Sequence, residues 1–145
     1  MTVPLLTILI VLPLVGALAL AFVPDERKTA QRVVSTSVAG LVFLLSLGLL
    51  RGFDPANAGF QWVESASWIS SIDAGWRLGL DGISLWIVLL TTFLTPLILI
   101  GSTSSVDRRV REFGISMLVL ETGMIGALVA TDLLLFYLFW ELMLI

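Results

Sequence analysis

The chain has 145 residues, 58% of them hydrophobic and 13% charged, with a formal net charge of −3 and neither cysteine nor histidine. A soluble domain carries roughly 25% charged residues, so a mean hydropathy of +1.05 points to lipid rather than water as the main solvent. The missing His and Cys exclude thiolate clusters, His-held haem or zinc and His-based nucleophilic dyads in this chain, and the absence of a basic run argues against nucleic acid as a partner.

Five apolar segments follow in order. Residues 3–23 are a run of 21 without a charge, 33–50 and 83–100 are uncharged runs of 18, 113–130 is 18 with one acid, and 133–145 is 13 with one acid. Crossing the hydrocarbon core takes about 20 apolar residues, range roughly 17–25. The first four segments are long enough and the fifth is not. The pattern predicts an all-α, polytopic transmembrane bundle with about four and a half spans. Nothing caps the fifth segment before Ile145, and a helix stopped at hydrocarbon depth leaves carbonyls unpaired. An N-terminal fragment of a longer protein is therefore expected.

The first segment ends with Ala17, Ala19 and Ala21, which imitate a signal-peptidase site, but no Lys or Arg precedes it. Its positive charges come afterwards, at Arg27, Lys28 and Arg32, as in a retained helix whose N-terminus lies outside. Arg108, Arg109 and Arg111 mark the third loop; the second has Arg51 and Arg77 against Asp54, Glu64, Asp73 and Asp81, and the fourth has no base. The positive-inside rule then puts the first and third loops in the cytoplasm, and the N-terminus and the other loops in the periplasm. A multi-pass protein of the bacterial inner (plasma) membrane is expected.

The second loop is too long for a simple connector. Phe60 and Trp62 alternate with polar neighbours, as do Trp76, Leu78 and Leu80, and Asp73, Ala74 and Gly75 supply turn chemistry. A short β-hairpin at about 56–80 on the periplasmic membrane surface is predicted, with Trp62, Trp68 and Trp76 suited to the interface; a disordered loop is the alternative. Pro13 and Pro96 lie inside spans and predict kinks. Asp81 and Asp132 read as helix N-caps, and the charges at 107–112 as a topology anchor.

Two acids remain. Glu141 lies nine residues after Asp132, about 13 Å into the membrane at 1.5 Å per residue. A charge at that depth costs about 2.5–3.5 kcal/mol on insertion scales, so an acid held there is a candidate functional group. Glu121 lies ten residues before Thr131, and Glu141 ten after it. A tight helical hairpin would bring both to similar depth as a candidate proton-relay pair, if their azimuths agree.

The run from Asp132 through Phe136, Tyr137, Phe139, Trp140 and Glu141 to Ile145 resembles the fifth helix of the antiporter-like, proton-translocating subunits of respiratory complex I. Its Phe-Trp-Glu-Leu-Met-Leu-Ile ending is most similar to the chain M group, the bacterial counterpart of mitochondrial NADH dehydrogenase subunit 4. Leu78 to Leu85, with Asp81-Gly82-Ile83-Ser84 at its centre, resembles the opening of that family's third helix.

The resemblance implies a domain plan. Residues 1–111 would be three leading helices with the surface hairpin, and 112–145 the start of the first of two inverted antiporter-like repeats. Glu141 would be the fifth-helix glutamate that carries protons, paired in the family with a lysine on the seventh helix, and Glu121 a candidate relay. The implied function is a membrane-arm subunit of NADH:quinone oxidoreductase, moving protons as electrons pass from NADH to quinone. NADH, FMN, iron–sulfur clusters and quinone would be handled by other subunits, with no cofactor and no redox chemistry here. Partners would be the neighbouring membrane-arm subunits and the lipid bilayer. The alternatives are a subunit of a multisubunit sodium/proton antiporter or membrane-bound hydrogenase, or a non-transporting membrane scaffold. No Lys or Arg lies inside any span, so Glu141 lacks a cationic partner within these 145 residues, and the chain alone is expected to move no protons.

Overall fold

The computed structural model describes residues 4–69 and 74–144. The order of elements is α1 (Leu5–Ala21), α2 (Lys28–Ser46) with a 3-10 extension (Leu47–Gly52), β1 (Gln61–Ile69), β2 (Ala74–Leu80), α3 (Gly82–Gly101), α4 (Val110–Val129) and α5 (Leu133–Leu144). Among the described residues, three helices are long and apolar enough to cross a membrane: Lys28–Gly52, Gly82–Ser104 and Val110–Val129. Of the four segments expected to cross in full, three do so by this measure and the first falls short, forming α1 of 17 residues; the fifth, expected to be too short, forms α5 of 12 residues. Helix α1 ends early because Pro24 disfavours helical backbone in the residue before it, and the chain turns at Phe22 and Val23, whose N–H groups bond back to Ala19 and Leu20.

Strands β1 and β2 form the expected antiparallel hairpin, with Glu64 opposite Leu78 and Ala66 opposite Trp76. Of the turn expected at Asp73, Ala74 and Gly75, Asp73 lies outside the described residues, whereas Ala74 and Gly75 are already paired in β2, opposite Ile69 and Ser67. A bulge separates Gln61 from Glu64, and within it Trp62 has φ of 54°, a strained left-handed conformation for a bulky residue. Anchoring offsets that strain, since Trp62 Nε1 donates to the Leu49 carbonyl at 3.3 Å. The bulge also re-aims Glu64. One Glu64 oxygen accepts from Leu6 N at 2.7 Å, and the other accepts from Thr7 N at 3.0 Å and from the Thr7 hydroxyl. Pro4 offers α1 no side-chain cap, so the hairpin supplies the acceptors that the first-turn amides need. Trp76 Nε1 donates to Thr7 Oγ1 at 2.9 Å. Trp62 and Trp76 are therefore fastened to helices, while Trp68 is 56% exposed.

The N-terminus of α1, the hairpin and the α4–α5 corner share one end of the bundle. There Leu78 bridges Ala130, and Thr131 N donates to the Arg77 carbonyl at 3.0 Å. The first and third loops share the other end, joined by Lys28–Asp107 at 3.1 Å, Arg32–Asp107 at 3.7 Å and Arg111–Asp25 at 3.1 Å. This grouping agrees with the one drawn from the Lys/Arg distribution.

Between the ends, apolar side chains fill the interior, among them Leu6, Leu9, Val42, Leu85, Val88 and Ile125. Val15, Leu18, Leu44, Trp86, Leu90 and Ile100 are exposed on the outside. Exposure on that scale suits hydrocarbon, where close packing and polar contacts rather than hydrophobic burial hold helices together.

Candidate functional site

The site is built upward from the α4–α5 corner. Asp132 caps α5 as expected: one oxygen accepts from Leu134 N at 2.9 Å and Leu135 N at 3.2 Å, and the other accepts from Gly75 N at 3.2 Å. The Leu135 amide foremost, then those of Gly75 and Leu134 with the Arg77 guanidinium, hold the Asp132 carboxyl below its ordinary range. Asp81 caps α3 likewise, accepting from Ile83 N at 3.0 Å and from Ser84 N and Oγ at 2.6 Å. The Ser84 hydroxyl is the chief reason that its carboxyl also sits low.

From this cap α5 enters the apolar zone. Leu135 and Phe139 are its buried residues. Glu141 is exposed on the opposite side, eight residues beyond Leu133 and hence about 12 Å along the axis. Tyr137 stands one turn earlier on the same face, its hydroxyl interacting with the Glu141 carboxyl.

Glu121 has the opposite setting, with 0% of its surface exposed. Its neighbour Thr122 ties α4 to α1 by donating to the Ile10 carbonyl at 3.1 Å. Thr95 of α3 lies near the Glu121 carboxyl, but neither carboxyl oxygen has a hydrogen-bond partner among the described residues.

The structure does not bring the two acids together. Helix α4 meets α5 through glycines: a Cβ on Gly126 would stand 2.4 Å from the Phe139 ring, and one on Gly123 would stand 2.8 Å from Met143 Cγ. At 3.6 residues per turn, Glu121 lies roughly 140–200° around α4 from that seam, and Glu141 roughly 200° around α5 from Phe139. The same contacts set the register, placing Glu121 about one turn, or ~5 Å, further from the corner than Glu141.

Two residues of consequence escaped the sequence reading. Thr95 was signalled by three threonines, Thr91, Thr92 and Thr95, just before Pro96 in an otherwise apolar span. Glu64 gave no local signal, because its partners are 57 and 58 positions away. Among the described residues, no group of three His, Cys, Asp or Glu is placed to hold a metal ion.

No family model matches the chain. It is 49% identical over 142 residues to NADH-quinone oxidoreductase subunit M of Rhodobacter capsulatus, an alignment covering 94% of this chain and 27% of that protein. It is 39% identical over 137 residues to NADH-ubiquinone oxidoreductase chain 4 of Arabidopsis thaliana, covering 94% and 28%, and 34% identical over 148 residues to subunit M of Rickettsia typhi, covering 98% and 30%. The chain therefore spans 27–30% of the length of these curated relatives. Over the stretch it spans, the chain is a homologue of the NADH-quinone oxidoreductase subunit M and NADH-ubiquinone oxidoreductase chain 4 proteins.

Proposed function

We propose that this chain is part of a membrane-arm subunit of an NADH:quinone oxidoreductase that moves protons across the bacterial inner membrane as electrons pass from NADH to quinone in other subunits. The observation that carries the reading is Glu141: a carboxyl about 12 Å into an apolar helix, on a face that no described element covers. An acid in such a place is expected to face protein or water rather than acyl chains. In the whole protein this face meets further helices, including the seventh-helix lysine that the family resemblance implies. With the cation near, the carboxylate is favoured; when the cation moves away or loses its proton, the carboxyl takes one up. The pair works as a two-state electrostatic element biased by neighbouring membrane-arm subunits. Helices α4 and α5 open the first antiporter-like repeat, the hairpin end faces the periplasm, and Glu121 serves as a second acid of the same subunit.

The test is Glu141→Gln in the intact subunit, in sealed membrane vesicles. Proton uptake driven by NADH oxidation should be abolished while the complex still assembles. A normal proton-to-electron ratio would overturn the assignment.

A further inference from the structure

Strand β2 holds α5 at two points. Gly75 N donates to the Asp132 carboxylate at 3.2 Å. The neighbouring Trp76 ring stands edge-on to Phe139, with centroids 5.9 Å apart and planes at 71°. Asp132 and Phe139 are seven residues apart, close to two helical turns, so both lie on one side of α5, about 10 Å apart along its axis. Two holds along one side fix the rotation of a helix. Glu141 leaves from the other side, roughly 200° around from Phe139.

Trp76 is itself held. Its Nε1 donates to Thr7 Oγ1 at 2.9 Å. An indole N–H only donates, and a threonine hydroxyl has one proton. The Thr7 proton therefore passes on to Glu64, whose carboxylate accepts it along with the amides of Leu6 and Thr7. Every donor in this chain meets an acceptor, in the one order Trp76, Thr7, Glu64.

The arrangement closes through α4. Thr122 donates to the Ile10 carbonyl at 3.1 Å and ties α1 to α4, while the Phe139 ring lies 2.4 Å from where a Cβ on Gly126 would stand. Gly126 makes room for the ring but has no side chain to stop it sliding. The Trp76 edge closes that side.

We propose that Trp76 is a positioning residue for Glu141: anchored through Thr7 to Glu64, it holds Phe139 in the Gly126 seat and so sets the direction in which Glu141 leaves α5. The hairpin is a bracket between the start of the first helix and the helix that bears the acid. The purpose of the bracket rests on the role proposed above for Glu141; its geometry does not.

The test uses the intact complex in native membranes. A hydrophobic carbodiimide labels protonated carboxyls, and mass spectrometry of the proteolytic peptide reads the adduct at Glu141. Held in place, Glu141 points at the further helices of the whole protein; released, it turns toward lipid. Trp76→Ala should raise the labelling several-fold. Thr7→Val, which cuts the hydrogen-bond chain and keeps the ring, should raise it less, and Thr7→Ser should restore it. Trp68→Ala, on the same hairpin but exposed, should leave it unchanged. The pH profile of NADH-driven proton uptake should be displaced in the same order and restored by Thr7→Ser, whereas a merely structural loss would lower the yield of complex without displacing it. Should Trp76→Ala fail to assemble, Trp76→Phe and Thr7→Val decide. Unchanged labelling in the assembled variants overturns the proposal, as does a pH profile that stays in place or an equal response from Trp68→Ala. Normal pumping in Glu141→Gln would instead remove the role of Glu141, and the labelling would still report whether the bracket aims it.

Discussion

Glu121 and Glu141 lie on adjacent helices, yet one is enclosed and the other exposed. Glu121 is fully buried, and its carboxyl has no hydrogen-bond partner among the described residues. Glu141 projects from the outer face of α5, near a single tyrosine hydroxyl. The cause is the glycine seam: Gly123 and Gly126 draw α5 so close that Phe139 and Met143 occupy the interface, and each acid is rotated away from it. An intramembrane acid can therefore be completed by its own local bundle or wait for cover from elsewhere, and only packing tells which.

The largest expected effect comes from spoiling the seam. Gly126→Leu drives side-chain atoms into the Phe139 ring and should destabilise the detergent-purified chain by about 1–3 kcal/mol, read from thermal unfolding; an unchanged melting temperature would mean that the seam does not orient α5. A smaller effect, of opposite sign, separates the two acids. Glu121→Met removes a buried carboxyl without partners and should stabilise the chain by on the order of 1 kcal/mol. Glu141→Met, on an exposed face, should stay within about 0.5 kcal/mol of the unsubstituted chain. Equal responses would erase the contrast, and a gain in stability at 121 would show that the acid is kept for activity rather than for the fold.

The smallest effect concerns the cap that fixes where α5 begins, and so how deep Glu141 sits. The Asp132 carboxyl is held low by the Leu135, Gly75 and Leu134 amides and by Arg77. Its contribution to stability is therefore complete above the ordinary aspartate value of about 4 and lost as pH falls through the lower folded value. Asp132→Asn should flatten the acid limb of a melting-temperature profile, and parallel acid limbs would contradict the cap's role.

Much of this was legible in the residues. Apolar runs located the helices, Lys and Arg counts grouped the loops, Asp81 and Asp132 announced their caps, and alternation around Trp62 and Trp76 predicted the hairpin. Depth was nearly legible too, because a helix rises by a fixed amount per residue, and the two acids missed a common level by about one turn. Azimuth was not. Which face of α4 meets α5 depends on Gly123 and Gly126 receiving the side chains of Met143 and Phe139, a property of two helices that neither run displays alone. The Glu64 clamp was hidden for a similar reason, since a carboxylate in a strand gives no sign that it will serve a helix start more than fifty residues earlier.

That clamp bears on how the protein is made. The acceptors for the Leu6 and Thr7 amides arrive 58 and 57 positions later in the chain, a wait of several seconds at synthesis rates of about 5–20 residues per second. Until then the opening turn of the leading helix lacks these acceptors, and the outer ribbon, once folded, latches it shut.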